Sequence, residues 1–233
     1  MLVAPPQAGA FPRLKSLAVD LEDEIQLAEY QVLAAAAPWL TALMTLAAPY
    51  EETDLPAEMA QMLAACTRLT SLRLCDQSCE DDGKALLQGI DAHSAATNLR
   101  SLNFTRCEAV SDLSPLASMV NLKSLTMDNT CASDLAPLST LVNQVELDMG
   151  CSYLVSKLVP LSTLVNLHEL SISECTDVSD LAPLSTMVSM QTLRMCDDTA
   201  VSDLTPLSTM VSLQTLDMHG CTTVSNLRPS APW

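Results

Sequence analysis

Residues 167–188 run LHELSISECTDVSDLAPLSTMV, and the fold turns on how they are read. The wording returns at 122–142 as LKSLTMDNTCASDLAPLSTLV and at 190–211 as MQTLRMCDDTAVSDLTPLSTMV. It returns once more, in part, at 213–227 as LQTLDMHGCTTVSNL. The shared pattern is L-x-x-L-x-[LMI]-x-x-C-x-x-V-S-D-L-x-P-L-S-T-[LM]-V. Its first apolar position falls at Leu99, Leu122, Gln144, Leu167, Met190 and Leu213, in steps of 22 or 23 residues. Carried backwards, the phase finds longer units beginning at Leu69, Leu40 and Leu14. A period in the twenties is the mark of a solenoid, in which each unit buries its apolar face only by stacking on its neighbours.

Within a repeat, L-x-x-L-x-L turns alternate side chains inward from a short strand. The Cys position follows where the chain leaves the sheet. The V-S-D-L-x-P-L segment builds the return side. Val110, Val155, Val178, Val201 and Val224 are expected to point into the core. Asp112, Asp134, Asp180 and Asp203 are expected as N-caps of a short helical turn. Pro115, Pro137, Pro183 and Pro206 lie in its first turn, where a missing donor costs little. A 23-residue unit leaves too little chain for a long helix, so a 3₁₀ turn is predicted. The longer early units have room for helices. Asp54-Leu-Pro-Ala-Glu58 is a helix start, followed by Met59, Met62, Leu63 and Cys66 on one stripe. Ile25, Ala28, Val32 and Leu33 form a second stripe, and Leu86, Leu87 and Ile90 a third.

The L-x-x-L-x-L-x-x-[N/C] core resembles the leucine-rich repeat signature over nearly the whole chain. The early units resemble the ribonuclease-inhibitor type. The S-D-L-x-P-L wording resembles the short repeats of bacterial internalins. With Cys in place of Asn it looks closest to protozoan leucine-rich repeat proteins labelled as adenylate-cyclase regulators. The resemblance implies that the Asn, Cys or Thr position hydrogen-bonds neighbouring turns into a ladder. Cys107, Thr130, Cys175 and Cys221 hold that position here, while Gln77, Ser152 and Asp198 depart from the pattern. The expected fold is an α/β solenoid, a curved leucine-rich repeat horseshoe with a parallel concave sheet. Helices are expected on its convex side N-terminally and 3₁₀ turns C-terminally. About nine repeats form one domain over 1–233, with long repeats at 14–98 and short ones at 99–233.

Composition narrows the function. Lys and Arg number 11 against 28 Asp and Glu, a formal charge of −17, and aromatics are 3%. Nucleic acid is excluded as a partner, because cationic contacts to phosphate supply most of that affinity. The acidity is even, −9 over residues 1–98 and −8 over 99–233, so basic partners are favoured only loosely. Nine cysteines form no CxxC pair, and the N-terminus lacks a signal-peptide pattern. Reduced thiols and a cytoplasmic location are expected. Val32 to Pro49 carry no charge, but Pro38 interrupts them and the repeat phase runs through them. They are therefore assigned to a convex segment and the next strand, and no membrane span is expected.

Chemistry belongs on the concave face. Its central column is Ala18, Met44, Arg73, Asn103, Thr126, Asp148, Ser171, Arg194 and Asp217, and a neighbouring one includes Asp128, Gly150, Ser173, Cys196 and His219. Small hydroxyls dominate, with charges between them and no bulky aromatic anchor. Arg73, Asn103, Asp128, Asp148, Glu169, Arg194, Asp217 and His219 are the candidate partner-binding residues. Cys196 and His219 fall side by side on adjacent strands near Asp217 and Asp197, but nothing supplies an oxyanion hole or a closed pocket. Cys75 and Cys79 suit a structural role, and His93 and His168 need none. No catalytic residue, metal or cofactor is assigned. The chain is expected to be a non-enzymatic interaction scaffold or regulatory subunit with a protein partner. The alternative is the recognition portion of an enzyme complex, a cyclase regulator or a ubiquitin-ligase substrate arm. The repeat from Leu213 loses its motif at Ser230, so an open C-terminal end and self-association through it are expected, with Trp233 as a partial lid.

Overall fold

The computed structural model describes residues 15–21, 40–47, 68–75, 98–108 and 110–224. Nine parallel strands lie side by side in chain order: β1 (Ser16–Leu21), β2 (Ala42–Ala47), β3 (Ser71–Cys75), β4 (Ser101–Asn103), β5 (Ser124–Thr126), β6 (Glu146–Asp148), β7 (Glu169–Ser171), β8 (Thr192–Arg194) and β9 (Thr215–Asp217). The register is the one the period demands. Ala18, Met44, Arg73, Asn103, Thr126, Asp148, Ser171, Arg194 and Asp217 stand opposite one another from strand to strand. From β4 onward the chain returns through 3₁₀ turns at Ser114–Ser118, Ala136–Thr140, Val159–Thr163, Ala182–Thr186 and Thr205–Thr209. The fold is a curved leucine-rich repeat solenoid. The helical stripes expected around 25–33, 54–66 and 86–90 lie outside the described residues. Leu40 is buried and Ala42–Ala47 is strand, so the uncharged stretch from Val32 enters the sheet, and no described helix is long and apolar enough to cross a membrane.

The core is a stack of layers. The inward Leu of β3 to β8 (Leu72, Leu102, Leu125, Leu147, Leu170 and Leu193) is at most 2% exposed. Val110, Val155, Val178 and Val201 close the return side and are fully buried, while Val224 is only partly so. One layer carries a mismatch. Gln144 takes the place of Leu122 and Leu167 and is 1% exposed. Its Nε2 donates to the Glu146 carbonyl at 2.6 Å, but its Oε1 has no partner. A buried acceptor left unpaired costs about 1–3 kcal/mol.

The S-T after each Pro-Leu has a division of labour. Ser139, Ser162, Ser185 and Ser208 turn their hydroxyls back onto their own 3₁₀ turn. Thr140, Thr163, Thr186 and Thr209 donate at 2.8–3.1 Å to the carbonyls of Ala117, Ser139, Ser162 and Ser185 one repeat earlier. The return side is therefore seamed by hydroxyls where the concave side is seamed by backbone. The aspartates correct one expectation. Leu113, Leu135, Leu181 and Leu204 hold the cap positions. Asp112, Asp134, Asp180 and Asp203 sit one residue earlier and accept from the backbone N–H two residues on, at 2.8–2.9 Å. Each is an Asx-turn that aims the chain into the 3₁₀ segment.

A second regularity is purely conformational. Arg106, Asn129, Cys151, Glu174, Asp197 and Gly220 all have φ between 52° and 76°. At Arg106, Asn129, Cys151, Glu174 and Asp197 the backbone N–H donates to the next repeat's carbonyl, at 2.7–2.9 Å. The left-handed residue reverses the chain while adding one further bond to the sheet. Non-glycine residues there cost of order 1–3 kcal/mol each and persist because the stack holds them.

The last described repeat is less well covered. Leu213, Leu216, Met218 and Cys221 are only partly buried, and Val211 is 86% exposed. Residues 225–233, including Trp233, lie outside the described residues. Two outcomes follow. Replacing Gln144 by Leu is expected to raise the unfolding free energy by about 1–2 kcal/mol, read from urea midpoints at constant slope. Amide exchange is expected to be faster over 213–224 than over 122–190 in dilute monomer, and equal protection would mean the end is closed.

Candidate functional site

The predicted residues fall into three neighbouring groups on the concave face. Arg73 on β3 is exposed and stands beside half-buried Asn103 on β4. At the centre, Asp148 on β6 and Asp128 just after β5 are half-buried, and Glu146 and Glu169 are exposed on paired positions of β6 and β7. Arg194 on β8 reaches back to Glu169 at 3.8 Å and stands opposite Asp217 on β9, with exposed His219 two residues on. Both partners of the Arg194–Glu169 pair are about half exposed, so it contributes at most about 1 kcal/mol.

Gly150 shapes the central group. It is buried, and a methyl there would come 2.9 Å from Asp128 Oδ1 and 3.4 Å from the Ser173 carbonyl. The absent side chain lets the Asp128 carboxylate lie in over the backbone. The Gly150 N–H donates to Asp148 Oδ1 at 3.2 Å. Burial, and then the Asp148 carboxylate, push the Asp128 carboxyl above its ordinary value, and the Cys151 thiol's hydrogen bond draws it partly back. Two residues beside this group had no signal in the concave columns. Cys151 sits in the left-handed position, its thiol pushed up to about 11 by burial and by the Asp128 and Glu174 carboxylates. Tyr153 is 49% exposed, and its hydroxyl donates to Glu174 Oε2 at 3.4 Å. It supplies an aromatic next to the acidic centre, in the loop rather than on a strand. The 22-residue step between Asn129 and Cys151 was the available clue, since it aligns Tyr153 with Cys131 on the exposed side of the turn.

Cys196 and His219 are neighbours, as their register requires, but the thiol is engaged elsewhere. Burial pushes Cys196 upward, and its hydrogen bond to the Asp217 carboxylate raises it further while lowering Asp217. A thiol held protonated in this way is a poor nucleophile. Among the described residues no group of three His, Cys, Asp or Glu side chains is placed to hold a metal ion. His168 turns its Nδ1 to the Asn166 carbonyl at 2.6 Å, whereas Cys79 and His93 lie outside the described residues.

At the edge of the core, the Cys position forms the ladder. The Cys175 thiol donates to the Met149 carbonyl at 3.2 Å and the Cys221 thiol to the Met195 carbonyl at 2.8 Å. Ser152, set apart by the sequence pattern, does the same work, its hydroxyl 3.4 Å from the Met127 carbonyl. Thr130 and Asp198 are buried at the same place without a side-chain partner.

No family model matches the sequence, and no curated protein matches it. Solved structures do. An internalin, InlF, of Listeria monocytogenes is similar with a TM-score of 0.68 and 18% identity, over 95% of this chain and 68% of that one. Internalin C2 of the same organism is similar with a TM-score of 0.64 and 24% identity, over 87% and 79%. The leucine-rich repeat domain of the type III effector XopL gives 0.68 and 22%, over 94% and 72%. These likenesses define the fold as that of leucine-rich repeat proteins.

Cys107, Cys131, Cys151, Cys175, Cys196 and Cys221 are free thiols. Burial pushes Cys175 up to about 12. In the native protein near neutral pH, exposed Cys131 is expected to alkylate first and Cys175 to resist. After denaturation without reductant all nine cysteines should label, and a stoichiometric disulfide would count against a reducing compartment.

Proposed function

We propose that the chain is a non-enzymatic protein-interaction scaffold that holds a protein partner on its concave face over β5–β7. The observation that carries this reading is the convergence of Glu146, Asp148 and Glu169 on adjacent strands with Asp128 just after β5, and Tyr153 at their rim. Like charges gathered over half-buried backbone raise the potential locally and suit a segment bearing Lys or Arg. Tyr153 offers area at little entropy cost, and Arg73 and Arg194 bracket the acidic centre and fix its register. The partner is a basic segment of a protein, met in the cytoplasm, and the chain acts as one domain. A regulatory role fits this reading, and the Cys-bearing repeats favour kinship with the protozoan cyclase-regulator group. Any catalytic activity then belongs to the partner. The half-buried Leu213, Leu216 and Met218 favour self-association through the C-terminal end as a second mode of contact.

Reversing charge with Asp148→Arg plus Glu169→Arg is the test. Titrated with lysine-rich peptides of defined sequence, the native protein should bind with a salt-dependent affinity and the double variant at least tenfold more weakly. Both proteins should stay folded, their unfolding free energies within about 2 kcal/mol of each other, because Glu169 is exposed and half-buried Asp148 gives up one hydrogen bond, from the Gly150 N–H. Equal binding by both, or none by either, would move the site off this face.

A further inference from the structure

Among the described residues Asp198 is the one carboxyl at the buried Cys position. It is 0% exposed, and neither Oδ1 nor Oδ2 has a hydrogen-bond partner. Its equivalents one repeat away on either side both donate a proton. Cys175 gives its thiol to the Met149 carbonyl and Cys221 gives its own to the Met195 carbonyl, each reaching 26 residues back. The same step from Asp198 leads to the carbonyl of Ile172. A carboxylate has nothing to donate to a carbonyl, whereas a carboxylic acid does.

We propose that Asp198 is a proton-operated joint of the solenoid, which clamps the last repeats when its carboxyl carries a proton and loosens them when it does not. The surroundings set the poise. The Cys175 and Cys221 side chains pack against it from the turns before and after, both thiols raised by burial and so neutral. Asp197 beside it is the charged neighbour, and its carboxylate disfavours a second negative charge. The Cys175 N–H pulls the other way but is already given to Ile172, 3.0 Å away. Burial above all, and then Asp197, push the Asp198 carboxyl up to about 7. The joint also lies where it matters. The Met195 and Asp197 N–H groups on either side of Cys196 donate to the Asp217 and His219 carbonyls at 2.8 and 2.7 Å, and these bonds tie β9 to β8. Loosening them disturbs the placement of Arg194, Asp217 and His219 on the concave face.

The sign is fixed by linkage. The folded value lies above the ordinary carboxyl value of 3.8, so the closed state holds more protons than the open one. The clamp is complete below about pH 4, is lost as pH rises towards about 7, and stays lost above it. Between about pH 5 and pH 7, opening of the Met195 and Asp197 amides should increase about tenfold per pH unit and then level off. Native-state hydrogen exchange, corrected for intrinsic rates, reads this directly. Asp198→Asn keeps a donor without titrating, and should remove the slope and protect these amides at pH 8 better than the native residue does. Should that variant fail to fold, Asp198→Cys restores the ladder residue found at 175 and 221. A carboxyl NMR titration of the native protein supplies a readout independent of folding. A midpoint near 4 for Asp198, or the same exchange slope in native and variant proteins, overturns the proposal.

Discussion

A three-residue strand cannot satisfy its own backbone, and everything in this molecule follows from where those groups go. In β4 to β9 each strand contributes only a Ser, Thr or Glu, an inward Leu and one concave residue. Its N–H and C=O groups pair mainly with the repeats before and after, although the Glu146 carbonyl also takes the Gln144 amide of its own repeat. The strand hydrogen bonds thus run between units, and an isolated repeat would expose both its apolar layer and its strand backbone. The left-handed residue after each of β4 to β8 belongs to the same scheme, since it lengthens the shared ladder by one bond before the chain turns away.

Two side-chain seams extend the principle where the backbone cannot reach. On the return side, Pro fixes the 3₁₀ turn and removes one donor, and the following Thr hydroxyl crosses to the previous repeat. At the corner, thiol and hydroxyl donors cross to the carbonyl of the preceding turn. The thiols are weak donors, but they are also small apolar groups, so they fill the corner without a large desolvation cost. Among the described repeats the stack is thus held on both faces and at one edge. On the concave surface Arg194 of the central column crosses to Glu169 one repeat back as a half-exposed ion pair.

The repeating part of this scheme was legible because the 22–23-residue step fixes register. The columns through Arg73, Asp148 and Asp217 could be written from spacing alone, and the inward Leu and Val positions with them. The features that escaped are those where stacking overrides a residue's own preference. Arg106, Glu174 and Cys151 are not left-handed formers, yet the repeat holds them there as it holds Asn129 and Gly220. Ser152 and Asp198 break the wording of the Cys position but keep its place, because register sets the location before chemistry does. The aspartates before the 3₁₀ turns announce a turn correctly, but two equivalent bonding positions differ by one residue, and only geometry separates them. Tyr153 stood in register with Cys131 one repeat earlier, but it lies off the strand columns on which the concave face was written.

What a solenoid can compute depends on where its repeats are unequal. Identical repeats open and close with the same free energy, so no position is privileged. Among the described short repeats, three positions break that equality. Gln144 weakens a layer beneath the acidic centre, with no donor for its Oε1. Gly150 lets Asp128 settle over the backbone, where burial and the nearby Asp148 carboxylate raise its carboxyl. Asp198 puts an ionisable group where its neighbours have neutral donors. Local choices that contradict the surrounding pattern are where function is expected to have displaced stability. Among the described residues they lie beneath and beside the strands that carry the charged concave residues. Among the described residues the uneven positions and the charged residues from Asp128 to His219 share one stretch of sheet, β5 to β9, so a partner held there would bear on these irregular positions.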